Sequence, residues 1–395
     1  MFLRLADRAV SSRPRIVALI PAHDEEDGIG GAIESLLAQS RRPDEIIVIS
    51  DNSTDRTVEI ARRYPVTVLE TRARMHPPHS ALAAAGCCWE RNTHRKSGAL
   101  NMGWRTCQDA DIIIGMDGDT VLPRFAVEHW EAEFRAKPML AGSSSQPVMA
   151  GDGYLPRMQR WEFTKSATQS LARGWCRVVS GTGCAFRNAA LREVARSRGQ
   201  EGPWTYESVV EDYHLTYQLR CLGWLCEMSR TVYCYTGSMT TLRALWHQRI
   251  KWTAGTVGDL LRFGCNRRNY REWFQQATMF VNLAFWVIWL SLNVTLAAAG
   301  TFRMLWWWQV LTILFAGIEI FHVRRMRNHA WRFDWKDMVL SALLIHLMVY
   351  SWLSMAWGLA SWWKVLRAKM GDLWAPQYKA EGMAQETEMK IGIGS

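Results

Sequence analysis

The chain has 395 residues, of which 49% are hydrophobic and 21% charged, with a formal net charge of +10. That composition excludes disorder as the dominant state and leaves room for one sizeable domain plus a second region. The average conceals two unlike parts, because Gln275–Phe302 and Met338–Trp363 contain no charged residue, and runs of that kind belong in a bilayer rather than in a soluble core.

Arg15–Ile20 is a short apolar run that predicts a first strand, followed by the polar turn His23–Gly28 and a helical period over Ile29–Leu37. Glu45–Ile49 predicts a second strand. Its end, Ser50-Asp51-Asn52-Ser53-Thr54-Asp55, puts Asp51 where it can accept a hydrogen bond from a base or ribose and Asp55 where it can cap a helix over Val58–Tyr64. Val66–Leu69 and Ile112–Met116 predict a third and a fourth strand, and the intervening segment predicts a loop with a short helix. Apolar, β-branched strands separated by helices imply a mainly parallel sheet buried on both faces. Ligands of such sheets gather at the carboxyl ends of the strands.

The last third predicts three membrane spans, 276–299, 304–323 and 338–363, each long enough for a hydrocarbon core of roughly 20 helical residues. Tryptophans crowd their ends, as at Trp306–Trp308 and Trp362-Trp363, in the manner of interfacial belts. Arginine and lysine cluster beside these runs, at Arg262–Arg271, Arg324–Lys336 and Lys364–Lys369, where cytoplasmic flanks meet anionic lipid. No basic stripe interleaved with aromatics stands on the remainder, so no nucleic-acid partner is expected. Lys364, Arg367 and Lys369 run against the positive-inside tendency if the third span crosses, which leaves the topology open there. The N-terminus carries no apolar run of the kind a cleavable signal needs. The nine scattered cysteines therefore read as reduced cytosolic thiols. Cys221, Cys226, Cys87 and Cys88 with His76, His79 and His94 match no tight zinc spacing.

Four polar constellations carry the chemistry. Asp117-Gly118-Asp119 follows the fourth strand directly, and two carboxylates two residues apart on an extended segment are hard oxygen ligands suited to Mg²⁺ or Mn²⁺. Lys96 is a candidate phosphate contact or a surface lysine. Glu211-Asp212 opens a helical pattern, so either carboxylate could serve as a general base or simply favour the helix dipole. Gln248, Lys251 and Trp252 share one face of a helix leading to the apolar region, fit either to line a sugar site or to form an interfacial amphipathic helix.

In this order the motifs Pro21-Ala22-His23-Asp24-Glu25, Ser50–Asp55, Lys96-Ser97-Gly98-Ala99-Leu100-Asn101, Asp117-Gly118-Asp119, Gly181-Thr182-Gly183, Glu211-Asp212 and Gln248–Trp252 resemble the membrane-integrated family 2 glycosyltransferases. That group holds cellulose, chitin, hyaluronan and poly-N-acetylglucosamine synthases. The resemblance covers Ile16 to Trp252 by motif and the tail only by general plan. It implies an α/β GT-A fold, Rossmann-like with a mainly parallel sheet, followed by interfacial and transmembrane helices. It also implies a UDP-sugar donor, UDP-GlcNAc or UDP-glucose, and an inverting displacement assisted by Mg²⁺ or Mn²⁺. By carry-over, Pro21, His23, Glu25, Asp51, Lys96, Asp117, Asp119, Gln248, Lys251 and Trp252 attend the donor, with Asp119 and Asp117 on the metal. Asp212 with Glu211 supplies the base, and Gly181, Thr182, Gly183 and Trp252 face the acceptor.

Three positions depart from the family pattern. Lys251 stands where arginine is usual, losing a planar bidentate fork, Ser50 replaces the first Asp of a pair, and Asp24 replaces Asn. These bear on processivity and donor identity more than on the reaction. Three spans hardly enclose a polymer channel, so either subunits assemble or the enzyme adds one or a few sugars to a lipid acceptor such as a polyprenyl phosphate. A nucleotide-sugar-binding scaffold without turnover is the rival from another class. A transporter would want more spans and an internal repeat. The expected layout is an N-terminal segment 1–14, a glycosyltransferase domain 15–240, an interfacial helix region 241–274, a multi-pass membrane region 275–370 and a polar tail 371–395. The catalytic domain is expected on the cytoplasmic face of the cell membrane.

Overall fold

The computed structural model describes residues 13–71, 96–151, 153–300 and 345–367, with isolated positions between 313 and 380. The chain divides into two compact units, Met1–Asp152 with Gln159–Ser238, and Gly153–Met158 with Met239–Ser395.

The first unit is built on β1 (Ile16–Ala22), α1 (Ile29–Leu37), β2 (Glu45–Asp51), α2 (Thr57–Ala61), β3 (Thr67–Thr71), α3 (Lys96–Thr106), β4 (Ile112–Met116) and α4 (Ala126–Ala136). It continues with β5 (Leu140–Met149), α5 (Tyr154–Arg173, whose first turn belongs to the second unit), β6 (Gly183–Arg187), α6 (Asn188–Arg198), α7 (Glu211–Cys221) and β7 (Leu225–Thr236). One seven-stranded sheet runs β3-β2-β1-β4-β6-β5-β7. The pairings of β1 with β2 and β4, of β2 with β3 and of β5 with β7 are parallel, whereas β6 is antiparallel to both its neighbours. The mainly parallel α/β sheet expected from the sequence is therefore present.

Alternate residues of a strand face opposite sides, and the apolar runs use both. Val17, Leu19, Ile47, Ile49 and Ile113 pack with Trp104, Leu191, Val194, Leu215 and Leu219 on one face. Ile16, Ala18, Ile20, Val48 and Ile114 pack with Ile29, Ile33, Leu36, Trp130 and Phe134 on the other. Strands buried twice in this way must be apolar throughout, which is why β1, β2 and β4 were legible. By contrast, β5 is buried yet reads LAGSSSQPVM. Its polar groups find partners inside: Ser145 Oγ donates to Gly183 O at 2.7 Å, and Gln146 Nε2 to Ser229 O at 2.9 Å.

Strand order reverses where β1 lies between β2 and β4, and the crevice beyond the carboxyl ends at such a point is the usual ligand site of an open α/β sheet. Three polar turns leave there, after Ala22, Asp51 and Met116.

In the second unit, α8 (Leu242–Phe263) starts on Thr241, whose Oγ1 accepts the Ala244 N–H at 3.2 Å, a side-chain N-cap. It packs against α10 (Ile345–Leu366). Between them in sequence, α9 (Tyr270–Ala298) is the one described helix long and apolar enough to cross a membrane. Phe274, Val281 and Ile288 are exposed along it, and Trp362 Nε1 of α10 donates to Gln276 Oε1 at 3.0 Å. The sequence predicts three spans. The first coincides with α9; the second lies outside the described residues save isolated positions. The third overlaps α10, and its first residues again fall largely outside.

Candidate active site

The β1 and β2 turns are laced together. His23 Nδ1 lies 2.6 Å from Asp51 O. Asp24 has φ +54°, a left-handed conformation in which Asp and Asn are the tolerated side chains, so the replacement of the family's Asn costs nothing in the backbone. Its Oδ1 accepts the Thr54 N–H at 2.6 Å, and Glu25 N–H donates to Thr57 Oγ1 at 2.8 Å. Asp55 accepts from Glu26 N–H and Thr57 N–H, both at 2.9 Å. Burial pushes its carboxyl up, but these hydrogen bonds prevail and hold it below the ordinary value, so Asp55 ties the start of α2. Asp51 is buried, with Oδ1 accepting from Asn52 Nδ2 at 3.0 Å and Thr71 Oγ1 at 3.1 Å.

Asp117 and Asp119 leave β4 one strand beyond β1, two interstrand spacings or about 10 Å from the line of Asp51. Glu25 rests on Gly118 so closely that a Cβ there would sit 3.0 Å from Glu25 Cγ. Asp119 is fixed from β7: Thr236 Oγ1 donates to Oδ2 at 3.2 Å, as does Gly237 N–H at 3.2 Å, and Thr120 Oγ1 reaches Oδ1 at 3.3 Å. Burial and then the neighbouring Asp117 push the Asp119 carboxyl up, against those hydrogen bonds. Thr236 and Gly237 escaped the sequence reading, since nothing in a strand-terminal Thr-Gly marks a partner 117 residues away.

Lys96, the first residue of α3, joins the two acidic groups. Its ammonium pairs with Asp117 Oδ1 and stands 3.6 Å from Glu211 Oε1. Burial alone would lower its pKa, but Asp117, Glu211 and Asp212 together raise it, so it stays charged. The backbone of Gly181 closes over it; a Cβ there would lie 2.8 Å from Lys96 Nζ. The Gly181 N–H also donates to Asp212. Asp212 is anchored through its main chain, its carbonyl accepting from Thr216 Oγ1 at 2.7 Å, while Thr216 Oγ1 accepts from Val179 N–H at 2.9 Å. Burial and then Glu211 push the half-buried Asp212 carboxyl up to about 6, against the pull of Lys96 and of the Tyr213 and Gly181 amides. Beside it, Thr182 Oγ1 lies 2.9 Å from Ser180 Oγ. One continuous patch thus holds Lys96, Asp117, Gly181, Thr182, Glu211 and Asp212, with Asp119 next along the chain.

Gln248, Lys251 and Trp252 belong to α8 of the second unit. Lys251 is buried, Gln248 Oε1 is buried with no hydrogen-bond partner among the described residues, and the Arg249 guanidinium stacks over the Trp252 ring at 4.6 Å.

A mainly parallel sheet with its strand-order reversal beside a carboxylate-rich crevice is the frame of a GT-A glycosyltransferase. Residues 14–255, more than half of the chain, match the family described as glycosyltransferase-like family 2, and the chain belongs to that family of enzymes. It is 24% identical over 260 residues to the poly-β-1,6-N-acetyl-D-glucosamine synthase of Staphylococcus aureus (strain MSSA476), covering 62% of this chain and 56% of that protein. The synthase of the same name from Staphylococcus epidermidis is 24% identical over 250 residues, 62% of this chain and 55% of that one. The match thus spans little more than half the length of these curated relatives. A solved structure, a mannosyltransferase from Pyrobaculum calidifontis in complex with GDP-Man and Mn²⁺, is similar over 92% of this chain and 93% of that one, with TM-score 0.55 and 18% identity, a likeness of fold.

Proposed function

We propose that this enzyme transfers a sugar with inversion from a UDP-sugar, UDP-GlcNAc or UDP-glucose, to a growing glycan at the cytoplasmic face of a membrane into which its C-terminal helices are integrated. The observation that carries the reading is Lys96: one half-buried cation links Asp117, on the donor side, to Glu211 and Asp212, on the acceptor side. Asp51 and His23 receive the nucleoside, with Pro21 and Glu25 shaping the turn. Gly181, Thr182 and Gly183 offer backbone and hydroxyl groups to the acceptor. Asp212 takes the proton of the acceptor hydroxyl as that oxygen attacks the anomeric carbon, and the UDP group departs from the opposite face.

The donor set of Asp119 and Asp117 fits a hard divalent cation, Mg²⁺ or Mn²⁺. The two carboxylates repel each other, and a cation relieves that repulsion. Among the described residues no group of three His, Cys, Asp or Glu side chains exists that could hold a metal alone, so phosphate oxygens and water would complete the shell. When bound, the ion neutralises charge on the leaving diphosphate. Because Thr236 fixes Asp119, Thr236→Val should raise the Mn²⁺ concentration for half-maximal activity about tenfold, the lower range for a lost outer-shell partner. Titration of UDP release against Mn²⁺ measures this.

The reading is tested by UDP release from the full chain in membranes supplied with UDP-GlcNAc, UDP-glucose or UDP-glucuronate and Mn²⁺ or Mg²⁺. Metal-dependent release with one of the first two is expected, and no release with any donor would overturn the proposal. Product length on a gel then separates a processive synthase, which gives a ladder, from single-sugar transfer to a lipid, which gives one band.

A further inference from the structure

Asn101 lies five residues beyond Lys96 on α3, about 7.5 Å along the axis. It is fully buried, and a buried primary amide needs its donors and acceptor satisfied. Its partner is a single residue 103 positions away: Asn101 Nδ2 donates to Trp204 O at 2.7 Å, and Trp204 N–H donates to Asn101 Oδ1 at 3.1 Å. The side-chain amide thereby pairs with both main-chain groups of Trp204 as a neighbouring strand would. The Trp204 ring is buried as well and meets Phe186 of β6 edge-on, centroids 6.3 Å apart at 86°. Gly202 passes so close that a Cβ would fall 2.1 Å from Asn101 Oδ1.

Trp204 stands seven residues before Glu211. The chain between them has its own short turns, Glu207 N–H donating to Thr205 Oγ1 and Val210 N–H to Ser208 Oγ, both at 3.1 Å. These stiffen the segment. α3 holds both ends of it, Asn101 binding Trp204 and Lys96 pairing with Glu211. We infer that Asn101 is a positioning residue, clamping the Trp204 segment so that Asp212 is presented at the acceptor side of the site. This inference rests on the reading of Asp212 as the base.

The test is steady-state UDP release by the full detergent-solubilised chain with UDP-GlcNAc and Mn²⁺, normalised to UDP-binding sites counted by calorimetry. Asn101→Asp keeps the acceptor for Trp204 N–H but faces the Trp204 carbonyl with a carboxylate; Gly202→Ala dislodges the loop and leaves Asn101 intact. Each should lower kcat per site about a hundredfold, the effect of a misplacement of about 1 Å, with KM for UDP-GlcNAc and affinity for UDP within about twofold of the parent. Turnover per site unchanged in both variants, or lost in parallel with UDP affinity, would overturn the inference. If Asn101→Asp does not fold, Gly202→Ala decides. Asp212→Asn run alongside separates the two claims: its inactivity with normal clamp variants removes the clamp alone, whereas its full activity removes the base.

Discussion

Asp212→Asn is expected to reduce turnover by about 10²- to 10⁴-fold, the range for loss of a positioned general base, with UDP affinity little changed. The amide keeps the shape of the carboxylate and can still accept from Gly181 N–H, but it has no capacity to take the proton of an acceptor hydroxyl. Stopped or steady-state UDP release checks this. Unchanged turnover would remove Asp212 from the chemistry. As the proposed base, the same residue should set the acid limb of the pH profile. Its carboxyl is pushed up to about 6, first by burial and then by Glu211, and only the deprotonated form can act as base. Turnover should therefore fall as pH drops through about 6, above the limb an ordinary aspartate near 3.9 would give.

Much of this arrangement was readable as pattern, and the unreadable part has a physical reason. The strands β1, β2 and β4 announce themselves because both faces are buried. The helix predicted over Ile29–Leu37 is α1 with the same bounds. Asp117-Gly118-Asp119 is visible because a short apolar strand ends in acid. In contrast, β5 hides its burial behind serines, and β7 mixes Glu227 and Arg230 with apolar residues. Partnerships were wholly invisible. Lys96 looks like a surface lysine until 21 residues of separation collapse onto Asp117, and Asn101 looks like the last letter of a motif until it meets Trp204. Sequence periodicity reports which face of an element is buried; it carries no record of which distant polar group waits there.

Lys96→Met is expected to damage stability and activity together, and the two can be told apart by pH. The ammonium is the cation that faces Asp117, Glu211 and Asp212 at once, and the Glu211 side chain is only 8% exposed. Removing one partner of a buried ion pair costs about 3 kcal/mol, the lower end of the usual range, because the Asp117 side chain remains 28% exposed. Part of the loss comes through Asp212. Its folded pKa is already above the ordinary aspartate value and Lys96 holds it down, so the variant raises it further. A carboxyl whose pKa is higher folded than unfolded binds more protons in the native state. Its stability contribution therefore declines as pH rises between the two values and is constant beyond. The variant's deficit should accordingly be largest near about pH 8 and shrink toward about pH 5 as Asp212 protonates. Thermal melts of parent and variant across that interval measure the difference. A deficit independent of pH would mean that Lys96 contributes packing rather than charge. Transfer should fall at every pH, because the same cation aligns the carboxylates proposed to face donor and acceptor.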